Sequence, residues 1–129
     1  MLITVEDKTP GYKTENLVEL KFDTEVITVE ELIMRRVMTE VEAYNKNKTE
    51  RFAGLVQPGE SEKLLNGYKM KKLMEIDAEK QCYLALSAFQ KNGYFLFIDD
   101  RQVDSLKEEI RLRPDISVTF IKLMPLVGG

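Results

Sequence analysis

Ile116-Ser117-Val118-Thr119-Phe120-Ile121-Lys122-Leu123 is rich in β-branched and aromatic residues and follows the turn pair Pro114-Asp115. It reads as a strand. Directly behind it Met124-Pro125-Leu126-Val127 stops the ladder, because Pro125 has no N–H to donate and fixes its own φ in the extended region. The sequence then closes on Gly128-Gly129. This succession constrains the fold more than any other, since it sets a core strand against a short extended tail. A frayed end is the plain alternative, but frayed ends are usually polar, and Leu126-Val127 gains nothing in water. Two glycines remove every Cβ from the last two positions, so a carboxylate there can enter a channel too narrow for side chains.

The front of the chain supplies partners for that strand. Leu2-Ile3-Thr4-Val5 is a short β-rich run, and Lys8-Thr9-Pro10-Gly11 behind it is turn chemistry. In Leu17 to Phe22, apolar residues at 18, 20 and 22 alternate with charges at 19 and 21, the period of a strand with one wet face. The two runs make a hairpin around a loop at 8–16. Thr28-Val29-Glu30-Glu31 is a capping box. Behind it Leu32, Ile33, Val37, Val41 and Tyr44 fall at helical spacing, with Arg35, Arg36, Glu40 and Glu42 read as off that stripe. A helix of about four turns, ending near Asn45-Lys46-Asn47, is expected across the hairpin's apolar face. Later, Phe95-Leu96-Phe97-Ile98 reads as a strand, Asp99-Asp100 as a turn and Arg101-Gln102-Val103 as a short strand. Leu106 to Leu112 reads as an irregular crossing with a turn of helix.

Between these parts lies an insertion, residues 48–93. Gly54, Pro58-Gly59 and Glu60-Ser61 mark a loop. Ser61 to Ile76, carrying Leu64, Leu65, Tyr68 and Leu73, reads as helical, weakened by Gly67. Asp77-Ala78-Glu79 starts a clearer helix with the stripe Ala78, Cys82, Ala85, Leu86 and Phe89, and Asn92-Gly93 supplies its αL stop. The expectation is an ordered helical appendage packed on the domain.

Strand, strand, helix, then a late strand running into Gly-Gly resembles the ubiquitin-like β-grasp carriers. That group includes ubiquitin, the small subunit of molybdopterin synthase and the thiamine-pathway sulfur carrier. The resemblance rests on Phe95 to Gly129 together with the front of the chain. It implies an α+β fold, a β-grasp mixed sheet with a packed helix, in which the last strand lies beside the first, parallel and central. On this reading residues 1–129 are one ubiquitin-like domain, 48–93 a helical insertion within it and 124–129 an extended tail.

The bulk numbers fit one domain, with 43% hydrophobic and 32% charged residues. A net charge of −3 gives no electrostatic footprint for nucleic acid. No apolar run approaches a membrane span, the first residues lack a leader's basic region, and the single Cys82 has no disulfide partner. The cytoplasm is the expected location, with no membrane partner. Without histidine, Ser-His or Cys-His pairs and histidine metal sites are excluded. Cys82 on a buried stripe reads as structural, since a reactive thiol needs exposure and a lowered pKa. Asp99-Asp100 reads as turn residues, with an acid–base pair as the alternative. Gly54, Gly59 and Gly67 fit no phosphate-loop spacing. No catalytic apparatus is visible, and no metal or cofactor is expected on this chain.

What remains is the chemistry the resemblance implies. Gly129 would be the residue activated and covalently attached, Gly128 would give clearance, and Pro125, Leu126 and Val127 would form the recognised handle. The partner would be an adenylating enzyme of the ubiquitin-activating type, which uses ATP and magnesium. Either a sulfur-accepting synthase or target proteins would follow. A sulfur carrier ends as a thiocarboxylate, and a protein modifier ends as an isopeptide bond to a lysine. The apolar Leu126-Val127 favours the sulfur carrier, whereas the insertion favours the modifier. A β-grasp interaction module that is never activated is the third possibility.

Overall fold

β1 (Leu2–Lys8) is a strand with one dry face: Ile3, Val5 and Asp7 are buried, while Leu2 and Thr4 face solvent. The computed structural model describes residues 1–10, 14–47, 51–59, 61–64, 67–70 and 75–123. β1 pairs antiparallel with β2 (Thr14–Lys21), placing Ile3 opposite Leu20 and Val5 opposite Val18. The expected hairpin is therefore present.

β3 (Val26–Thr28) feeds α1 (Val29–Lys46). The Glu31 N–H donates to Thr28 Oγ1 at 3.1 Å, and that hydroxyl lies 3.2 Å from Glu31 Oε1. The cap expected at Thr28 is in place. The helix buries Val29, Leu32, Ile33, Arg36, Val37, Val41 and Tyr44. Arg36 was expected off the apolar stripe, and it lies on it.

The insertion departs from its helical reading. β4 (Arg51–Phe52), β5 (Ser61–Leu64) and β6 (Gly67–Met70) form a three-stranded antiparallel sheet in the order β4-β6-β5. The helix expected over Ser61 to Ile76 is thus replaced, in its described part, by a hairpin. Tyr68 and Met70 are buried while Lys69 is exposed, which is period two. Gly67 sits at φ 154°, a region side chains rarely enter, and an added Cβ would lie 3.0 Å from the Phe52 carbonyl oxygen. Leu65 and Leu73 lie outside the described residues. Only α2 (Ala78–Gln90) carries the helical expectation, with Gln81, Cys82, Ala85 and Phe89 buried. Its stop is made by Asn92, at φ 59°, and the Gly93 N–H closes onto the Ala88 carbonyl at 2.8 Å.

β7 (Tyr94–Ile98) and β8 (Arg101–Val103) form a tight hairpin whose turn residues Asp99 and Asp100 both have positive φ. The crossing over 106–112 contains a strand instead of a turn of helix: β9 (Glu109–Arg111) pairs with β3. β10 (Val118–Lys122) then enters the main sheet, whose order is β2-β1-β10-β7-β8. The pair of β1 and β10 is parallel, and the others are antiparallel. The chain is α+β with a mixed five-stranded sheet. Both helices share the buried cluster with the sheet, in which Val5, Leu20, Leu96 and Phe120 join Leu32, Ile33 and Ala85. Among the described residues, no helix is long and apolar enough to cross a membrane.

Candidate functional site

The tail residues Pro125, Leu126, Val127, Gly128 and Gly129 lie outside the described residues, so the site is approached through its root. β10 alternates Val118 and Phe120 inward with Thr119 and Ile121 outward, and Leu123 behind it is exposed. Lys122 Nζ donates to the Gly54 carbonyl at 3.1 Å. This bond ties the strand's exit to the inserted segment. The outward Ile121 pairs with Phe95, and Thr119 pairs with Phe97. All four are half-buried, and Phe95, Phe97 and Ile121 make an apolar strip on the sheet's outer face near the end of β10.

Behind the root lies a buried ion cluster. Arg36 is fully buried and reaches both carboxylate oxygens of Asp7 through its two terminal nitrogens. Its Nε donates to Glu40 Oε1 at 2.5 Å, one turn along the helix. Asn16 Nδ2 reaches Asp7 Oδ2 at 3.3 Å, and the Leu55 N–H donates to Glu40 Oε2 at 3.3 Å. Burial works against the guanidinium's charge, but Glu40 and Asp7 outweigh it and hold Arg36 firmly protonated. Burial also pushes the Glu40 carboxyl above its ordinary value, against the pull of Arg36. Such a cluster is stable only with every member satisfied. Among the described residues, no buried side-chain polar atom lacks a partner.

This cluster has the geometry of a structural joint, not of a reaction centre. Each of the three guanidinium nitrogens has a carboxylate partner, and the cluster links β1, α1 and the inserted loop at Leu55. Further polar links hold the insertion: the Asn45 amide pairs with both the Ile76 N–H and carbonyl, and Gln81 Nε2 donates to the Val56 carbonyl at 2.8 Å. A signal for the cluster was present in the sequence. Positions 29, 33, 36, 40 and 44 keep the helical spacing of three and four, so Arg36 and Glu40 belong to the inward face by position.

No protein-family model, curated protein or solved structure matches this chain. The chemistry must therefore be weighed residue by residue. The Cys82 thiol is buried, lies 3.8 Å from the Met34 carbonyl oxygen, and is pushed up by burial. That is a poor nucleophile. Asp99 accepts the Ser117 N–H at 3.0 Å and an Arg113 nitrogen at 2.8 Å, and these bonds hold its carboxyl below its ordinary value. It serves the turn, while the Asp100 carboxylate is exposed beside it. Among the described residues, no group of three or more potential metal ligands comes together.

Proposed function

We propose that this chain is a ubiquitin-like carrier whose Gly129 carboxylate is activated by a partner enzyme, with the sulfur carrier as the favoured form. The observation that carries the reading is the position of β10. It is the central strand, it runs parallel to β1, and Lys122 ends it two residues before the segment that closes on Gly128-Gly129. That is where the β-grasp carriers place the strand before their tail. α1, which follows the β1–β2 hairpin and β3, adds the packed helix of the same arrangement.

The chemistry balances without any catalytic group on this chain. A Gly129 carboxylate oxygen attacks the α-phosphorus of ATP, and pyrophosphate leaves. The resulting mixed anhydride is electrophilic at the glycine carbonyl. Hydrosulfide supplied by the partner system attacks there to give a thiocarboxylate, or a partner's thiolate attacks to give a thioester, and AMP leaves in either case. A lysine amine attacking the thioester carbonyl would instead displace the thiol and give an isopeptide bond. Glycine at 128 and 129 keeps the approach clear. The strip formed by Phe95, Phe97 and Ile121 gives the partner an apolar surface beside the end of β10.

Intact-mass measurement of the protein isolated from its native cell tests the reading. A terminal thiocarboxylate supports the sulfur carrier, and conjugates through Gly129 support the modifier. An unmodified chain that keeps its cellular role after extension beyond Gly129 would point to a module that is never activated.

A further inference from the structure

The helix layer carries a second feature that the tail chemistry does not use. Met34 and Met38 lie one turn apart on the outward side of α1, and Cys82 and Leu86 lie one turn apart on α2. With Ala78 and Tyr83 they line an open groove of about 760 Å³ between the helices. Met34 is 36% exposed, Met38 38% and Tyr83 76%. Single exposed apolar residues are ordinary, but a contiguous set lining one groove marks a place of contact. Methionine suits such a wall, because its unbranched side chain repacks around different shapes.

The surrounding charges select the occupant. Asp77 and Glu79 lie on the α2 side of the groove, and Glu31 and Glu42 share the α1 stripe with Met34 and Met38. Against these four carboxylates stand Lys80, Arg35 and Lys46, which continues the stripe of Met38 and Glu42, so the rim keeps an excess of one negative charge. A second copy, itself of net charge −3, would bring the same carboxylates against these and be repelled. The chain's own residues 124–129 carry no basic group to answer them. A helix with one apolar face and basic flanks satisfies both the groove and its rim.

We propose that the groove between α1 and α2 docks a basic amphipathic helix of a partner protein. The proposal goes beyond the carrier reading and does not depend on it. The groove lies on the helix layer, and the strip of Phe95, Phe97 and Ile121 lies on the other face of the sheet. Both surfaces can be occupied at once.

The test uses the full chain and a fluorescent peptide of about four helical turns, built from leucine and lysine at helical spacing. A leucine–glutamate peptide of the same pattern is the control. The lysine peptide should bind and weaken as salt rises, and the glutamate peptide should bind roughly tenfold more weakly or not at all. Met34→Glu with Met38→Glu should cost the lysine peptide a similar roughly tenfold factor. Glu79→Lys, at an exposed position, should weaken it several-fold and guards against misfolding of the double variant. Failure of the lysine peptide to bind overturns the proposal, as does equal binding of both peptides. Undiminished binding to the variants places the contact elsewhere and overturns it too. If sedimentation instead shows a dimer that the methionine variant dissolves, a second copy is the occupant and the partner helix is wrong.

Discussion

The guanidinium carbon of Arg36 lies 4.6 Å from the centroid of the Phe120 ring. One side chain comes from α1, the other from the central strand β10, and both are fully buried. The cation therefore meets the ring face while its edge nitrogens serve Asp7 and Glu40. A charged residue thus sits where the helix crosses the sheet, and the energetics of the core turn on it.

Arg36→Ala leaves two buried carboxylates without their cation and should cost about 3–5 kcal/mol. Replacing the trio together, with Asp7→Leu, Arg36→Met and Glu40→Leu, should recover most of that loss, because matched apolar groups need no partner. Urea denaturation of the two variants checks both statements. A single variant within about 1 kcal/mol of the parent would mean the carboxylates find other partners.

The pH dependence follows from Glu40. Its carboxyl is raised in the folded state by burial, so between the unfolded value near 4.3 and the higher folded value the native state binds more protons. The associated stability is complete below the unfolded value and is lost as pH rises through the folded one. Glu40→Gln removes that dependence. The stability of the parent relative to this variant should therefore fall as pH climbs from about 4 toward neutrality. Denaturation midpoints of both proteins across that range give the slope directly.

Gly54 is the point where the inserted loop meets the root of the tail. A Cβ there would fall 1.9 Å from the Phe52 ring, which is 2% exposed and packed edge-on against Tyr44. Gly54→Ala forces that ring to move and should cost about 1–3 kcal/mol. The same variant should loosen the bond from Lys122. Hydrogen exchange would then rise at 51–56 and in the last residues of β10, while the β7–β8 hairpin stays unchanged.

Cys82 should react slowly. Its thiol is buried and its ionisation is suppressed. Labelling of the native protein by a thiol reagent should be at least roughly tenfold slower than in denaturant. Equal rates would show that the packing over the Cys82 thiol gives way readily to solvent.

Gly129→Phe tests the proposed chemistry apart from the fold. Unfolding free energy should stay within about 0.5 kcal/mol of the parent. If the proposed carrier chemistry holds, ATP–pyrophosphate exchange catalysed by a cognate adenylating enzyme should be lost with this variant. Normal exchange by the variant would remove Gly129 from the activated position.

The parts legible in the sequence are those whose cause is local. Thr28 with Glu31 marks a helix start within four residues, and the alternation over 17–22 marks a strand within six. The turn at Asp99-Asp100 is equally local. The buried trio is not legible locally: Arg36 keeps helical spacing with Val29, Ile33 and Glu40, but its burial depends on Asp7 from another strand. The β5–β6 hairpin was missed for a related reason. Leu64 and Tyr68 satisfy a helical period as well as a strand's, and Gly67 was counted as a flaw in a helix when its backbone belongs to the approach of Phe52. The tail's apolar character was legible throughout, whereas the groove between α1 and α2 needed the relative placement of two helices.

The adjacency of β1 and β10 also bears on how the protein is made. Val5 and Val118 lie side by side, so the middle of the sheet is joined from opposite ends of the sequence. On a ribosome the hairpin and α1 emerge early, and β1 waits with an open edge until residue 122 has been delivered. During that wait the edge is exposed to pairing with other nascent chains. A product cut short before Val118 lacks the strand that closes the core, and it would be cleared as unfolded protein. Every folded copy has therefore been synthesised at least through β10, so the fold itself vouches for the chain up to Lys122.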